Sequence, residues 1–305
     1  MKRVLLFVIV NILVVASLSF LMSLLGIGRF VLSAGLQYTP LLFFCFLWGM
    51  IGSLISLVLS KIIAKWMMGI QIVTLAGPHK NLVETVHRLS RRAGLMEMPE
   101  VGIYQDSILN AFATGPTRNH TLIAVSSGLL ATMEDHEIEG VIAHEVAHIA
   151  NGDMITMALI QGVVNAFVMF FSRIVAFAII RSMRDEQDRE EGNAGAGPLI
   201  QMILVFILDA IFGLLALPIV AWFSRYREFR ADRFGAKLVG SVKMISALEA
   251  LTKAYPQFVE DIDSDSQSRS AYFRSIQISS KVSVMRLFST HPPLEERIST
   301  LKRLK

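Results

Sequence analysis

The chain has 305 residues, 53% of them apolar and only 18% charged, with a formal net charge of +4. A soluble globular chain runs near a quarter charged, and here the apolar surplus is gathered into long runs, which points to lipid as the solvent rather than one oversized core. No Lys/Arg stripe interleaved with aromatics is present, which argues against a nucleic-acid partner. The single cysteine, Cys45, forms no internal disulfide and reads as a small apolar residue within one of the runs.

The first run, residues 4–25, follows Lys2 and Arg3. It is too long for the core of a signal peptide and no small-residue cleavage site follows it, so an uncleaved span is expected. A second span is expected over residues 41–59, ending at Lys61 and Lys65. A segment of soluble character comes next. Leu82, Val83, Val86 and Leu89 predict an amphipathic helix over residues 78–94. Residues 101–104 and 121–126 read as short strands, with residues 110–113 as a third. Two further runs, residues 155–180 and 199–223, are each long enough to cross ~30 Å of hydrocarbon at about 1.5 Å per residue. Beyond them the pattern predicts helices near residues 230–255 and 276–288, a solvated Asp/Ser-rich loop over 260–270, and a short helix after Pro292-Pro293.

Lys and Arg concentrate at the N-terminus, between the second and third runs, and after the fourth. Four spans with both termini and both soluble segments in the cytoplasm satisfy that bias. The last two runs carry polar residues: Gln161, Asn165 and Arg173 in one, Asp209 in the other. Antiparallel packing would bring Arg173 and Asp209 to similar depth. Three readings stand: a buried pair holding the hairpin together, which is favoured, a polar track, or a hairpin partly embedded in protein.

Residues 144–148 spell His-Glu-Val-Ala-His. On a helix, residues four apart share a face, so His144 and His148 can reach one metal ion, and Glu145 can serve as general base toward a water there. Ile138, Val141, Ile142 and Ile149 keep the helical period through the motif. Thr132 with Asp135 spells a capping box, and Asp135 can also be the cap itself. A catalytic zinc needs a third protein ligand. His79, His87, His120, His136 and His291 are candidates, as are many carboxylates. The hairpin of the third and fourth runs returns the chain to the face of the membrane it left. The first carboxylate after it is Glu228, with Asp232 one turn on, placed to hold a ligand imidazole. The competing reading of this stretch is a basic juxtamembrane helix on anionic lipid, with both carboxylates paired to arginines.

His144-Glu145-Val146-Ala147-His148, Arg227-Glu228-Phe229-Arg230-Ala231-Asp232, Asn110-Ala111-Phe112-Ala113-Thr114-Gly115 and Ser289-Thr290-His291-Pro292-Pro293 together resemble the HtpX-type membrane metalloproteases, bacterial relatives of the CAAX prenyl endopeptidases. The match covers nearly the whole chain in order. The resemblance implies a mainly α, four-span membrane protein with a zincin-like cytoplasmic catalytic domain carrying a small β-sheet. Its parts would be residues 1–60 (two spans), 61–154 (first catalytic part), 155–223 (the hairpin) and 224–305 (second catalytic part). It implies one Zn2+ per chain on His144, His148 and Glu228, with Glu145 catalytic and Asp232 behind a ligand. Asn110, Ala111 and Phe112 would lie along the substrate, with His291 near the active site. The implied substrates are damaged or misfolded membrane proteins and unfolded polypeptides, in a bacterial inner membrane under stress. An intramembrane-cleaving zinc protease using Asp209, a prenyl-protein endopeptidase and a scaffold with structural zinc are the alternatives.

Overall fold

The structure, a computed structural model, describes residues 38–187, 197–263 and 291–303. The expected span over residues 4–25, much of the acidic loop between the third and fourth runs, and the helix over 276–288 lie outside the described residues. So does the expected loop over 260–270 beyond residue 263, its first four residues being helical instead.

Helix α1 (Tyr38–Met68) carries the second apolar run and leads into strand β1 (Gln71–Val73). Helix α2 (Lys80–Arg92), β2 (Glu100–Tyr104), β3 (Ala111–Thr114) and β4 (Leu122–Ser126) follow, then α3 (Ser127–Thr132) and α4 (Asp135–Asn151). Helices α5 (Asp153–Gln187) and α6 (Gly197–Val239) hold the last two runs, before α7 (Ser241–Asp263) and α8 (Leu294–Lys302). The architecture is mainly helical with one small sheet. Among the described residues α1, α5 and α6 contain stretches long and apolar enough to cross a membrane.

The chain groups into two units. The first comprises the described residues up to Ser56 and those within Ala158–Val220. In it α1 and α5 touch backbone to backbone: a Cβ on Gly49 would lie 2.6 Å from the Gly162 carbonyl and 2.7 Å from the Ala166 nitrogen. Small residues at such contacts let membrane helices gain dispersion energy where lipid offers no hydrophobic drive. Leu41, Cys45 and Met169 pack beside this crossing. Arg173 on α5 lies 3.9 Å from Asp209 on α6, the pairing expected from the sequence.

The second unit comprises Leu57–Met157 and the described residues from Ala221 onward. Its mixed sheet has the order β1-β2-β4-β3, with β2 and β4 parallel and the outer pairs antiparallel. The three expected strands are present; β1 went unread, being only three residues long. Helix α2 buries Val86 and Leu89, the period read from the sequence, in one core cluster with Ile123 and Val125 of β4 and Ile142 and Ile149 of α4. Each such side chain contributes about 1.5–3 kcal/mol on burial.

Two local expectations are corrected. The cap of α4 is Glu134, in a reciprocal capping box with Glu137, and neither Thr132 nor Asp135. The stretch before α4 is itself helical, capped by the Ser126 hydroxyl accepting from the Leu129 N–H at 3.1 Å. Thr132 therefore lies inside α3 and lacks the extended backbone an N-cap needs. The helix expected over residues 230–255 is two helices, because Gly240 breaks the run at φ 90°. A second left-handed glycine, Gly152 (φ 70°), ends α4 and lets α5 begin at the next residue.

Candidate metal centre

Helix α4 sets His144 and His148 one turn apart, with their Nε2 atoms 3.1 Å from each other. Glu228, on the part of α6 beyond its apolar run, puts Oε2 3.4 Å from His144 Nε2 and Oε1 3.4 Å from His148 Nε2. All three residues are buried. Behind the rings, His144 Nδ1–H donates to Asp232 Oδ1 at 2.9 Å and His148 Nδ1–H donates to Asp153 Oδ2 at 2.6 Å. Those bonds turn both Nε2 atoms toward each other and toward a carboxylate. Such a convergence is repulsive unless a cation lies among them, a metal ion or, without one, a proton on His144. Tetrahedral zinc, with ligands at roughly 2.0–2.1 Å, needs donors about 3.3–3.4 Å apart. The 3.1 Å between the two nitrogens comes close to this, and each nitrogen has one Glu228 oxygen at 3.4 Å.

Arg297 is the largest contributor the sequence reading missed. It grips Asp232 with both arms, Nε to Oδ2 at 2.7 Å and Nη2 to Oδ1 at 2.6 Å. It also lies 3.6 Å from Glu228. A faint signal existed: Leu294, Ile298 and Leu301 share the buried face of α8, and Arg297 falls on that face. Burial works against the Arg297 charge, but Asp232 and then Glu228 hold the guanidinium pKa above its usual value. Burial and Arg297 push the His144 imidazole down, yet hydrogen bonds to Asp232 and Glu228 outweigh them and raise it to about 9 without metal. Asp153 was missed as well, as was Arg230, which donates to its other oxygen.

His144 and Glu228 open onto a pocket of about 150 Å³ lined also by Asn110, Ala111, Glu145, His291 and Arg297, among others. Glu145 is half-buried in its wall. His291 Nδ1 lies 3.0 Å from Glu228 Oε2 on a largely exposed side chain. Strand β3 is an outer strand of the sheet. The Ser126 N–H donates to the Asn110 carbonyl at 2.8 Å, which fixes the alternation along β3. Phe112 and Thr114 then bond to β4, while the N–H and C=O of Ala111 and Ala113 face the outer edge, which no strand covers among the described residues. The Asn110 side chain donates to the Tyr104 hydroxyl. The Phe112 ring packs on Tyr104 and is not part of the pocket lining.

The other histidine candidates are placed elsewhere. His120 lies by Glu97, His136 by Glu134 and Ser246, and His79 and His87 belong to the start and body of α2. Asp209, the ligand of the intramembrane-cleaving alternative, is not in the donor set.

A family model described as "Peptidase family M48" matches residues 77–305, which contain all three donors. The chain belongs to peptidase family M48. Its relatives within reach extend over the full length. A "Protease HtpX homolog" of Thiobacillus denitrificans is 46% identical over 307 residues, covering 100% of both chains. One of Herminiimonas arsenicoxydans is 44% identical, again covering 100% of each, and one of Bacillus licheniformis is 44% identical with 99% of each covered. The crystal structure of S. mikatae Ste24p superposes with a TM-score of 0.60 at 16% identity, covering 99% of this chain and 67% of that one, which shows a shared fold. This M48 peptidase is a membrane metalloprotease homologous to HtpX, with a zinc site formed by His144, His148 and Glu228.

Proposed function

We propose that this metalloprotease is an endopeptidase of a bacterial inner membrane that removes damaged or misfolded membrane proteins. It crosses the bilayer four times, with a zincin-like catalytic part and both termini in the cytoplasm. The domain division is 1–60, 61–154, 155–223 and 224–305. The placement of Lys and Arg supports the orientation, and the similarity to proteins named HtpX supports the quality-control role.

The observation that carries the endopeptidase reading is the open edge of β3 beside the three donors and Glu145. A polypeptide added as a strand along Ala111 and Ala113 would bring one of its peptide bonds into the pocket. Asn110 and Phe112 act indirectly, fixing the strand through Tyr104. Zinc, when bound, supplies Lewis acidity to the scissile carbonyl and to water. Glu145 takes the proton from the attacking water and delivers it to the leaving amine. Asp232, gripped by Arg297, holds His144 in the tautomer that aims Nε2 inward. His291, 3.0 Å from Glu228, would donate to the charge developing on the carbonyl oxygen.

The test is Glu145→Gln in the full chain in detergent. Zinc content should remain at one per chain while cleavage of an unfolded substrate falls by roughly 10²–10⁴-fold. Undiminished cleavage would overturn the assignment. Protease protection of tagged termini in inverted and right-side-out vesicles checks the orientation.

A further inference from the structure

His148 is backed by a structure that mirrors the one behind His144, though it is built from different elements. Asp153 is fully buried; its Oδ2 accepts from His148 Nδ1–H at 2.6 Å and its Oδ1 from Arg230 Nη2. Asp153 is the first residue of α5, and Arg230 lies on α6 between Glu228 and Asp232. The helices that carry the two last apolar runs are thus joined at their catalytic ends through the carboxylate that aims a zinc ligand. Gly152, whose left-handed turn lets α5 start directly after α4, brings Asp153 back onto the ring five residues earlier.

We propose that Asp153, held by Arg230, is a positioning residue for zinc: it fixes the His148 tautomer so that Nε2 faces the metal and raises the donor strength of that nitrogen. A carboxylate accepting from the far nitrogen of a ligand imidazole makes the ring more basic toward the ion, and losing such a partner costs roughly 10–100-fold in metal affinity. The inference rests on His148 being a zinc ligand.

The experiment is zinc competition against a chromophoric chelator on the full chain in detergent. It compares wild type with Asp153→Ala, Asp153→Asn, Arg230→Ala and His148→Ala, and pairs each with a melting curve and the visible spectrum of the cobalt-loaded protein. Asp153→Ala should bind zinc about 10–100-fold more weakly, with Asp153→Asn and Arg230→Ala showing smaller losses and all three a shifted cobalt spectrum. If Asp153→Ala does not fold, Asp153→Asn, which keeps an acceptor oxygen of the same size, carries the decision. Unchanged zinc affinity and an unchanged cobalt spectrum in the folded Asp153 variants, whatever their melting temperature, would overturn the proposal. If His148→Ala retained wild-type zinc affinity, the ligand assignment beneath it would fail instead.

Discussion

Asp209 in the first unit and Glu228 in the second are both nearly inaccessible carboxylates, 6% and 1% exposed. Their surroundings differ in kind. Asp209 faces Arg173 at 3.9 Å, and Arg173 also donates to the Met169 carbonyl at 2.8 Å. A guanidinium has only donors, so Arg173 adds no metal ligand beside Asp209 and the contact is a charge pair. Glu228 also has the guanidinium groups of Arg227 and Arg297 nearby, but it faces in addition two imidazole Nε2 atoms whose rings are tied back at Nδ1 to Asp232 and Asp153. The contrast shows that burial of a carboxylate does not mark a site. What marks it is whether imidazole nitrogens able to bind a metal converge on it.

The sharpest way to break this comparison is to delete each carboxylate. Glu228→Ala should reduce zinc from one per chain to near none by elemental analysis and abolish cleavage, whereas Asp209→Ala should keep its zinc. Next in size, Arg173→Met alone should cost about 3–5 kcal/mol by leaving a buried charge without its partner, and adding Asp209→Leu should recover most of it. Unfolding in mixed micelles measures both; equal losses in the single and double variants would end the pair reading. Gly49→Ala should cost about 1–3 kcal/mol in the same assay, because the new methyl meets the α5 backbone, which cannot turn aside.

The smallest effect concerns a third carboxylate, Glu139 on α4. It joins Arg88 of α2 at 2.8 Å and Lys243 of α7 at 2.5 Å. Both cations are partly exposed, so Glu139→Gln should cost about 1 kcal/mol. Burial pushes its carboxyl up, but Lys243 and Arg88 outweigh that and hold it below the ordinary 4.5. Its contribution is therefore full above pH 4.5 and disappears as pH falls through the lower folded value. Wild type and Glu139→Gln should differ in stability near neutrality and converge in acid. A difference that persists there would show that packing, not charge, is what Glu139 provides.

What the sequence determined by itself was whatever repeats over a few residues. The period of α2, the three longer strands, the extents of the described apolar runs and the shared face of His144 and His148 are all local patterns, set by backbone geometry and by the thickness of hydrocarbon. The third ligand lay at the edge of legibility. Glu228 stood out as the first carboxylate after the hairpin, but a lipid-binding reading competed until the structure placed it 3.4 Å from both imidazoles. Only the tertiary structure decided the rest. Arg297 reaches Asp232 across 65 residues of sequence and Arg230 reaches Asp153 across 77. No periodicity selects one arginine among many for such a bond, because the selection is made by the packing of whole helices. The open edge of Ala111 and Ala113 likewise follows from which strand lies outermost and from one hydrogen bond that sets its alternation. Side-chain chemistry can nominate ligands, but only the folded chain brings together the groups that orient them.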